Sequence, residues 1–422
     1  MKTYQVSKMA GNLIGSEIIK LGTEINERIR KGEKIFNYTI GDFTPELFPI
    51  PELLQHSVIK AYEEGHSNYP TANGIIELRQ AVSSFLKKYE SLDYHTDEIL
   101  ITCGARPGIY ATFLTLVDPG DKVVYPVPSW NNNHYCHLVG AEGIQVETSA
   151  ENHFMPSAAD LRPHLQDAVL LSLCSPLNPT GTVFQQQQLE EICDLVLEEN
   201  ARRGPGEKPL YLLFDQIYWI LTFGKTLHYN PVSLRPDMRR FTIFVDGISK
   251  SFAATGMRVG WTFGPEPVID KMKSILSHVG AWSPKAEQVA TARFLNDQAA
   301  IESFLVRFKE NIEVRLQALY QGFMKMKAQG LPIDCITPQA AIYLTLSLAL
   351  KGMITPEGKR LESNHEITSY ILEQTGIAVV PFYAFGAAPE SSWYRLSVGT
   401  TRLEDIPLAL DRLQAALQKL KP

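Results

Sequence analysis

Between about residues 95 and 265 the sequence repeats one pattern: a short apolar run, a turn rich in glycine, proline or asparagine, and then a helical periodicity. Short apolar runs that alternate with helices are typical of a mostly parallel sheet covered on both faces. The pattern predicts an α/β fold whose large three-layer α/β/α domain holds a mostly parallel seven-stranded sheet. The seven predicted strands are residues 98–103, 122–127, 143–149, 168–174, 210–215, 241–247 and 258–264.

The rest of the chain predicts a second, smaller domain. A chain of 422 residues exceeds what one hydrophobic core usually organises. After about residue 295 the pattern changes to long amphipathic helices followed by short strands, and the N-terminal residues are too few to stand alone. We therefore expect a small α+β domain built from both chain termini. The predicted boundaries are 1–48 for an N-terminal arm and part of the small domain, 49–295 for the large cofactor-binding domain and 296–422 for the small C-terminal domain.

Composition excludes several classes of protein. The net charge of −6 comes from scattered residues, and no basic patch predicts nucleic acid as a partner. No apolar run is long enough to span a bilayer, and the first residues, "MKTYQVSKMAG", lack the apolar core of a signal peptide. The five cysteines are odd in number and widely spaced, which fits neither a disulfide framework nor a metal site. We expect a cytoplasmic protein without a metal or a membrane partner.

Polar residues follow several predicted strands at their carboxyl ends, where open parallel sheets bind ligands. Gly104 precedes a helix whose free N–H groups suit a phosphate, although a tight turn is an equal alternative. Asn178 lies in an Asn-Pro-Thr-Gly turn, and Asp215 ends an apolar strand, where a structural ion pair is the usual explanation. Lys250 and Arg258 lie among small residues that leave room for a ligand. An amine in a partly apolar pocket is a nucleophile, and an arginine binds phosphate in a two-bond fork.

Seven blocks in this order resemble those of the class I/II aminotransferases, enzymes of the fold-type I pyridoxal phosphate superfamily. The resemblance covers nearly the whole chain and is closest to aspartate aminotransferases. The blocks are "YPTANGIIELR" (69–79), "GAR" (104–106), "PSW" (128–130), "NPTG" (178–181), "DQIY" (215–218), "GISKSFAATGMRVG" (247–260) and "YRLSVG" (394–399).

The resemblance implies pyridoxal 5'-phosphate as cofactor and three catalytic residues. Lys250 would bind the cofactor covalently and move a proton at the substrate Cα, and Asp215 would pair with the pyridine nitrogen. Tyr218 and Asn178 would hydrogen-bond to the phenolic oxygen. Trp130 would stack on the ring, with a place in the core as its structural alternative.

The resemblance also implies a phosphate site and a homodimer. The phosphate would be held by Gly104, Ala105 and Arg258, with Ser249 or the hydroxyl of Tyr69 from a neighbouring subunit. The family places Tyr69 and the segment around Trp282 across the subunit interface, so we expect a homodimer.

For the substrate, the resemblance implies that Arg395 takes the α-carboxylate, with the backbone of Gly41 as second contact and with Trp130 and Asn178 nearby. A surface ion pair is the structural alternative for Arg395. Arg106 would meet the distal carboxylate of an acidic substrate, or else reach the cofactor phosphate or a surface carboxylate. Acidic amino acids are the first choice of donor. Aromatic or kynurenine-like donors stay open because Phe43, Trp282 and Tyr383 are candidates for the mouth of the site.

Three functions follow from these residues. The first is an aminotransferase that exchanges an amino group between an L-amino acid, aspartate or glutamate first, and a 2-oxo acid such as 2-oxoglutarate by a ping-pong mechanism. The second is a pyridoxal phosphate-dependent lyase, acting by β-elimination or decarboxylation, because the same cofactor permits both. The third, a non-catalytic sensor that binds the cofactor, is disfavoured because all the proposed catalytic groups are present.

Overall fold

The computed structural model describes residues 5–13, 15 and 17–422. The sequence "MKTYQVSKMAG" begins outside the described residues, at residues 1–4. The strands are β1 Phe36–Asn37, β2 Ile99–Thr102, β3 Lys122–Val127, β4 Glu142–Glu147, β5 Ala168–Cys174, β6 Tyr211–Asp215, β7 Thr242–Gly247, β8 Gly260–Phe263, β9 Ile333–Cys335, β10 Tyr343–Leu348, β11 Ile377–Ala378, β12 Val380–Pro381 and β13 Trp393–Ser397. The α-helices are α1 Lys8–Asn12, α2 Glu17–Arg30, α3 Glu52–Glu63, α4 Ile76–Glu90, α5 Ala105–Leu116, α6 Asn132–Val139, α7 Ala158–Leu161, α8 Gln186–Arg202, α9 Pro231–Leu234, α10 Ile248–Ser251, α11 Glu266–Val279, α12 Lys285–Leu295, α13 Gln298–Ala328, α14 Asn364–Thr375 and α15 Ile406–Gln418.

The central sheet contains the seven predicted strands in the order β2-β8-β7-β6-β5-β3-β4. Their observed ends lie within two residues of the predicted ones. The strands run parallel except β8, which is antiparallel to both of its neighbours, β2 and β7. Every residue of β7 is buried, as is expected of an inner strand covered on both faces. The predicted α/β class is confirmed.

The second part of the fold joins the two ends of the chain. Strand β1 pairs in parallel with β11, which places Phe36 opposite Ile377. A separate antiparallel sheet has the order β12-β13-β10-β9. This small α+β unit therefore combines segments from near both ends of the described chain, as predicted. The boundaries at residues 48 and 295 stay predictions.

The long helix α13 begins just beyond the second of these predicted boundaries. Asp297 caps it, with a side-chain oxygen that accepts a hydrogen bond from the backbone N–H of Ala300 at 2.9 Å. This bond satisfies one of the N–H groups that the first turn of a helix leaves free. None of the described helices is long and apolar enough to cross a membrane. Within the described residues, no group of three or more histidine, cysteine, aspartate or glutamate side chains is placed to hold a metal ion.

Candidate active site

A cavity of about 640 Å³ opens at the carboxyl ends of the central strands. It is the place where a parallel sheet is expected to bind a ligand. Eleven of the thirteen residues predicted for the site line this cavity. They are Gly41, Ala105, Arg106, Trp130, Asn178, Asp215, Tyr218, Ser249, Lys250, Arg258 and Arg395.

The amine of Lys250 is placed by the short helix α10, which directly follows β7. Its Nζ donates a hydrogen bond to the carbonyl oxygen of Gly41 at 2.5 Å. Burial lowers the pKa of Lys250 to about 8, because an ammonium ion loses its hydration there. The cavity thus contains a lysine that gives up its proton far more readily than one on the surface.

The carboxylate of Asp215 lies at the end of β6 and faces the same cavity. Its Oδ1 accepts a hydrogen bond from the backbone N–H of Ile217 at 3.1 Å. No ion pair offsets its charge within the described part of the chain, and burial raises the pKa of Asp215 to about 6. The alternative given for Asp215 in the sequence analysis, a structural ion pair, is therefore not observed among the described residues. Asp215 has room for a cationic group supplied by a ligand.

The guanidinium of Arg258 lies beside the N-terminus of α5. It donates hydrogen bonds to the carbonyl oxygens of Thr255 at 2.7 Å and Cys103 at 2.8 Å. Gly104 caps the helix with φ +82°, and a Cβ there would lie 2.2 Å from Nη2 of Arg258. Free N–H groups and a permanent cation therefore meet at one point, which suits an anion such as a phosphate.

Arg395, on β13, is buried and also lines the cavity. It donates to Oδ1 of Asn178 at 3.0 Å and to the carbonyl oxygen of Thr39 at 2.6 Å. Its Nε has no hydrogen-bond partner within the described residues. The surface ion pair considered as the alternative is wrong, because only 2% of this residue is exposed. A buried guanidinium with a free donor is suited to bind a carboxylate.

Arg106 and Trp130 form the outer part of the cavity. The Cζ atom of Arg106 lies 5.0 Å from the centre of the Trp130 ring, in a cation–π contact. Trp130 also packs on Phe385 with 6.1 Å between ring centres, yet it still lines the cavity instead of being confined to the core. Arg106 is exposed, so its charge is available to a ligand.

The cavity lining also includes polar residues that the sequence did not single out, among them Thr39, Asp42 and Tyr343. The hydroxyl of Tyr343 lies 2.6 Å from that of Tyr218, and its ring lies 4.8 Å from the Cζ atom of Arg395. A single tyrosine inside the apolar strand "AAIYLTLSL" was the available signal. Nothing in the sequence showed that this strand faces the lysine.

The sequence profile of the family described as "Aminotransferase class I and II" matches residues 34–413. This chain belongs to that family. It is an enzyme of the transferase class, and the resemblance seen in the seven blocks is confirmed.

Named relatives of this aminotransferase are aspartate aminotransferases. One from Rhizobium meliloti (strain 1021) is 27% identical over 422 residues, covering 99% of this chain and 97% of its own. A crystal structure of the aspartate aminotransferase from Rhizobium meliloti has a TM-score of 0.91 at 26% identity, covering 99% of this chain and all of its own. An aspartate aminotransferase from Thermus thermophilus, solved with maleate, has a TM-score of 0.86 at 26% identity, covering 98% and 100% of the two chains.

Two predicted residues of the aminotransferase do not line the cavity. Gly104 lies just behind it, against Arg258. Tyr69 is 80% exposed and packs edge-on against Trp282, with 5.2 Å between ring centres. The single chain therefore does not bring Tyr69 into its own cavity.

Proposed function

We propose that this aminotransferase uses pyridoxal 5'-phosphate to exchange an amino group between an L-amino acid, with aspartate or glutamate first, and a 2-oxo acid such as 2-oxoglutarate by a ping-pong mechanism. One observation carries the proposal. A half-buried amine of lowered pKa, Lys250, and a half-buried carboxylate without an ion pair among the described residues, Asp215, line the same cavity. This is the pair of groups that the cofactor's aldehyde and its pyridine nitrogen require.

The remaining side chains fit the other parts of the cofactor. Arg258, with the start of α5 at Gly104 and Ala105 and with Ser249, would hold the phosphate. Asn178 and Tyr218 would bond to the phenolic oxygen, and Trp130 would cover the ring. When bound, the cofactor supplies a ring that accepts the electrons left on the substrate Cα.

The residues of the chain would perform the proton transfer. The pKa of Lys250, lowered to about 8 by burial, makes its uncharged form more accessible near pH 7. Its Nζ can then take the proton from the substrate Cα, acting as general base. Asp215 would hold a proton on the pyridine nitrogen, since the paired ion offsets the cost of burying its carboxylate. Arg395 would orient the substrate by its α-carboxylate.

Arg106 supports the choice of an acidic donor. It is an exposed guanidinium at the outer part of the cavity, where the distal carboxylate of a dicarboxylic substrate would lie. The named relatives are aspartate aminotransferases, and the Thermus thermophilus structure contains maleate, a dicarboxylate. The alternative in which Arg106 reaches the cofactor phosphate stays open to the experiment below.

We also propose a homodimer in which Tyr69 of each subunit completes the phosphate site of the other. The position of Tyr69 supports this arrangement, since this residue is 80% exposed beside Trp282, lies outside the cavity of its own chain and is accessible to another subunit. A cytoplasmic location stays a prediction.

The decisive test is the half-reaction without a 2-oxo acid. With L-aspartate, the wild-type protein should release one equivalent of 2-oxo acid per subunit, whereas continued release of carbon dioxide and alanine would show β-decarboxylation. With L-serine, whose hydroxyl can leave from Cβ, continued release of ammonia and pyruvate would show β-elimination. Lys250→Ala should lose both the absorbance band of covalently bound pyridoxal phosphate and the turnover. Lys60→Ala, which removes an exposed lysine, is the control and should keep both. Turnover retained in Lys250→Ala would refute the mechanism.

A further inference from the structure

A second cavity, of about 850 Å³, lies behind the segment that carries the catalytic groups. Asp215, Ile217 and Tyr218 line the active-site cavity, whereas Trp219 and Ile220 line the second one. We call this second space the Glu90 cavity, and its lining includes Tyr89, Glu90, Trp219, His228, Tyr229 and Lys309. The residues from 215 to 220 thus separate two cavities.

Glu90 brings a buried carboxylate to this cavity without a Lys or Arg paired to it in the described part of the chain. Its side chain is 2% exposed. Both of its oxygens accept from one group, the side-chain amide of Gln216, at 2.7 and 2.8 Å. The basic atom that approaches it is Nε2 of His228, at 3.9 Å. Burial and the negative charge of Asp246 raise the pKa of Glu90. A cation that enters the cavity would offset the free-energy cost of burying the ionised Glu90 carboxylate.

His228 adds a second group without a partner. Its side chain is 7% exposed, and within the described residues neither ring nitrogen has a hydrogen-bond partner. Burial lowers the pKa of His228 to about 3, so the ring is neutral near pH 7 and one nitrogen can accept a hydrogen bond. The hydroxyl of Tyr89 is also buried without a partner among these residues. Buried polar groups are nearly always satisfied, so these atoms indicate missing partners, and the accepting nitrogen of the neutral His228 ring requires a donor among them.

The charges and rings around the cavity indicate what that donor is. Three glutamates, Glu302, Glu310 and Glu313, line the cavity together with Lys309. The carboxylate of Glu302 already contacts Lys88 at 3.4 Å and Gln298 at 2.7 Å. The two negative charges of Glu310 and Glu313 therefore exceed the one positive charge of Lys309 at this wall. The aromatic side chains of Trp219 and Tyr229 in the lining favour an organic cation, whereas the ring of Tyr89 already has Nζ of Lys88 at 4.7 Å from its centre.

We propose that the Glu90 cavity is a second binding site, for a small alkylammonium ion whose nitrogen contacts Glu90 and His228. The occupant would touch the segment 215–220 on the side opposite the catalytic groups. Trp219 already ties this segment to β7, because its Nε1 donates to Oδ2 of Asp246 at 2.9 Å. The Glu90 cavity is separate from the active-site cavity. Binding there would not require the transfer of an amino group.

Calorimetric titration of the cofactor-loaded protein with trimethylammonium chloride tests the proposal at constant ionic strength. A tertiary ammonium cannot form an imine with an aldehyde, so the titration does not probe the active-site chemistry. We expect a Kd between about 0.1 and 10 mM, which is within the limit for four non-hydrogen atoms. An uncharged molecule of similar size, tert-butanol, should bind at least tenfold more weakly. Equal binding of the two would overturn the proposal, because an apolar cavity alone would then suffice.

Variants locate the binding. Glu90→Gln keeps the shape of the side chain and should weaken trimethylammonium binding at least tenfold, and His228→Phe should weaken it as well. Glu147→Gln, at an exposed position on the edge strand β4, is the matched control and should bind as the wild type does. If Glu90→Gln fails to fold, Glu310→Gln and Glu313→Gln test the same charge at the cavity wall, with about a threefold loss for each. Wild-type affinity in all these folded variants would refute the site.

Discussion

Arg106 is the residue on which substrate choice depends in the proposed function. Replacing it by leucine removes the charge that would meet a distal carboxylate. We expect the KM for aspartate to rise about tenfold to a hundredfold, which is the usual effect of losing a hydrogen bond to a charged group. The KM for alanine, which has no distal carboxylate, should change little and serves as the internal control. Equal effects on the two donors would show that Arg106 acts on the cofactor phosphate instead.

Gly104 is the residue that lets Arg258 approach the start of α5. A Cβ at this position would lie 2.2 Å from Nη2 of Arg258, so Gly104→Ala should displace the guanidinium and weaken pyridoxal phosphate binding at least tenfold. Gly65 has nearly the same φ, +81°, but a Cβ added there would meet no described atom within 4 Å. Gly65→Ala should therefore share only the backbone strain, about 1–2 kcal/mol in urea unfolding. Equal cofactor affinity in the two variants would contradict the role of Gly104.

Among single residues, the sequence predicted the reactive side chains better than the side chains that position them. Lys250 and Asp215 stand out because a charged residue beside an apolar strand is costly without a purpose. Tyr343 could not be found in the same way, because a tyrosine in a strand is ordinary. Its role depends on how two distant strands are placed, which brings its hydroxyl within 2.6 Å of Tyr218.

Among the elements, α13 connects the large sheet to the small unit over 31 residues. Leu319 on its inner face is 1% exposed, and replacing it by alanine should cost about 2–5 kcal/mol in urea unfolding. Val314 on the same helix is 43% exposed, and Val314→Ala should stay within about 0.5 kcal/mol of the wild type. A similar loss in the free energy of unfolding for both variants would mean that intrinsic helix propensity, and not packing of the buried face, stabilises α13.

Most strands of the central sheet were predictable because they are nearly continuous apolar runs closed by turn residues; the edge strand β4, "EGIQVE", is the exception. Their order was not, since strand order depends on contacts between segments far apart in the chain. The antiparallel direction of β8 is one such case, because its run "GWTF" has the composition of the parallel strands. Strand β9 has only three residues, one of them Asp334, and so offered no apolar run to detect.

For the whole molecule, the proposed homodimer predicts complementation between two defective chains. Tyr69→Phe and Lys250→Ala subunits, each of low activity, would form a mixed dimer in which one site has both Lys250 and the partner subunit's Tyr69 intact. Random mixing after reversible dissociation should restore about a quarter of the wild-type activity, measured per subunit. No recovery would show that Tyr69 acts on its own chain, and a monomeric mass in solution would exclude the dimer.

The bond between Lys250 and the carbonyl of Gly41 has a consequence for how the protein is assembled with its cofactor. The amine of Lys250 cannot keep its hydrogen bond to Gly41 in the N-terminal segment and also form an imine with an aldehyde. With pyridoxal phosphate as the proposed cofactor, its covalent attachment to Lys250 would replace the hydrogen bond to Gly41 and release the N-terminal segment from α10.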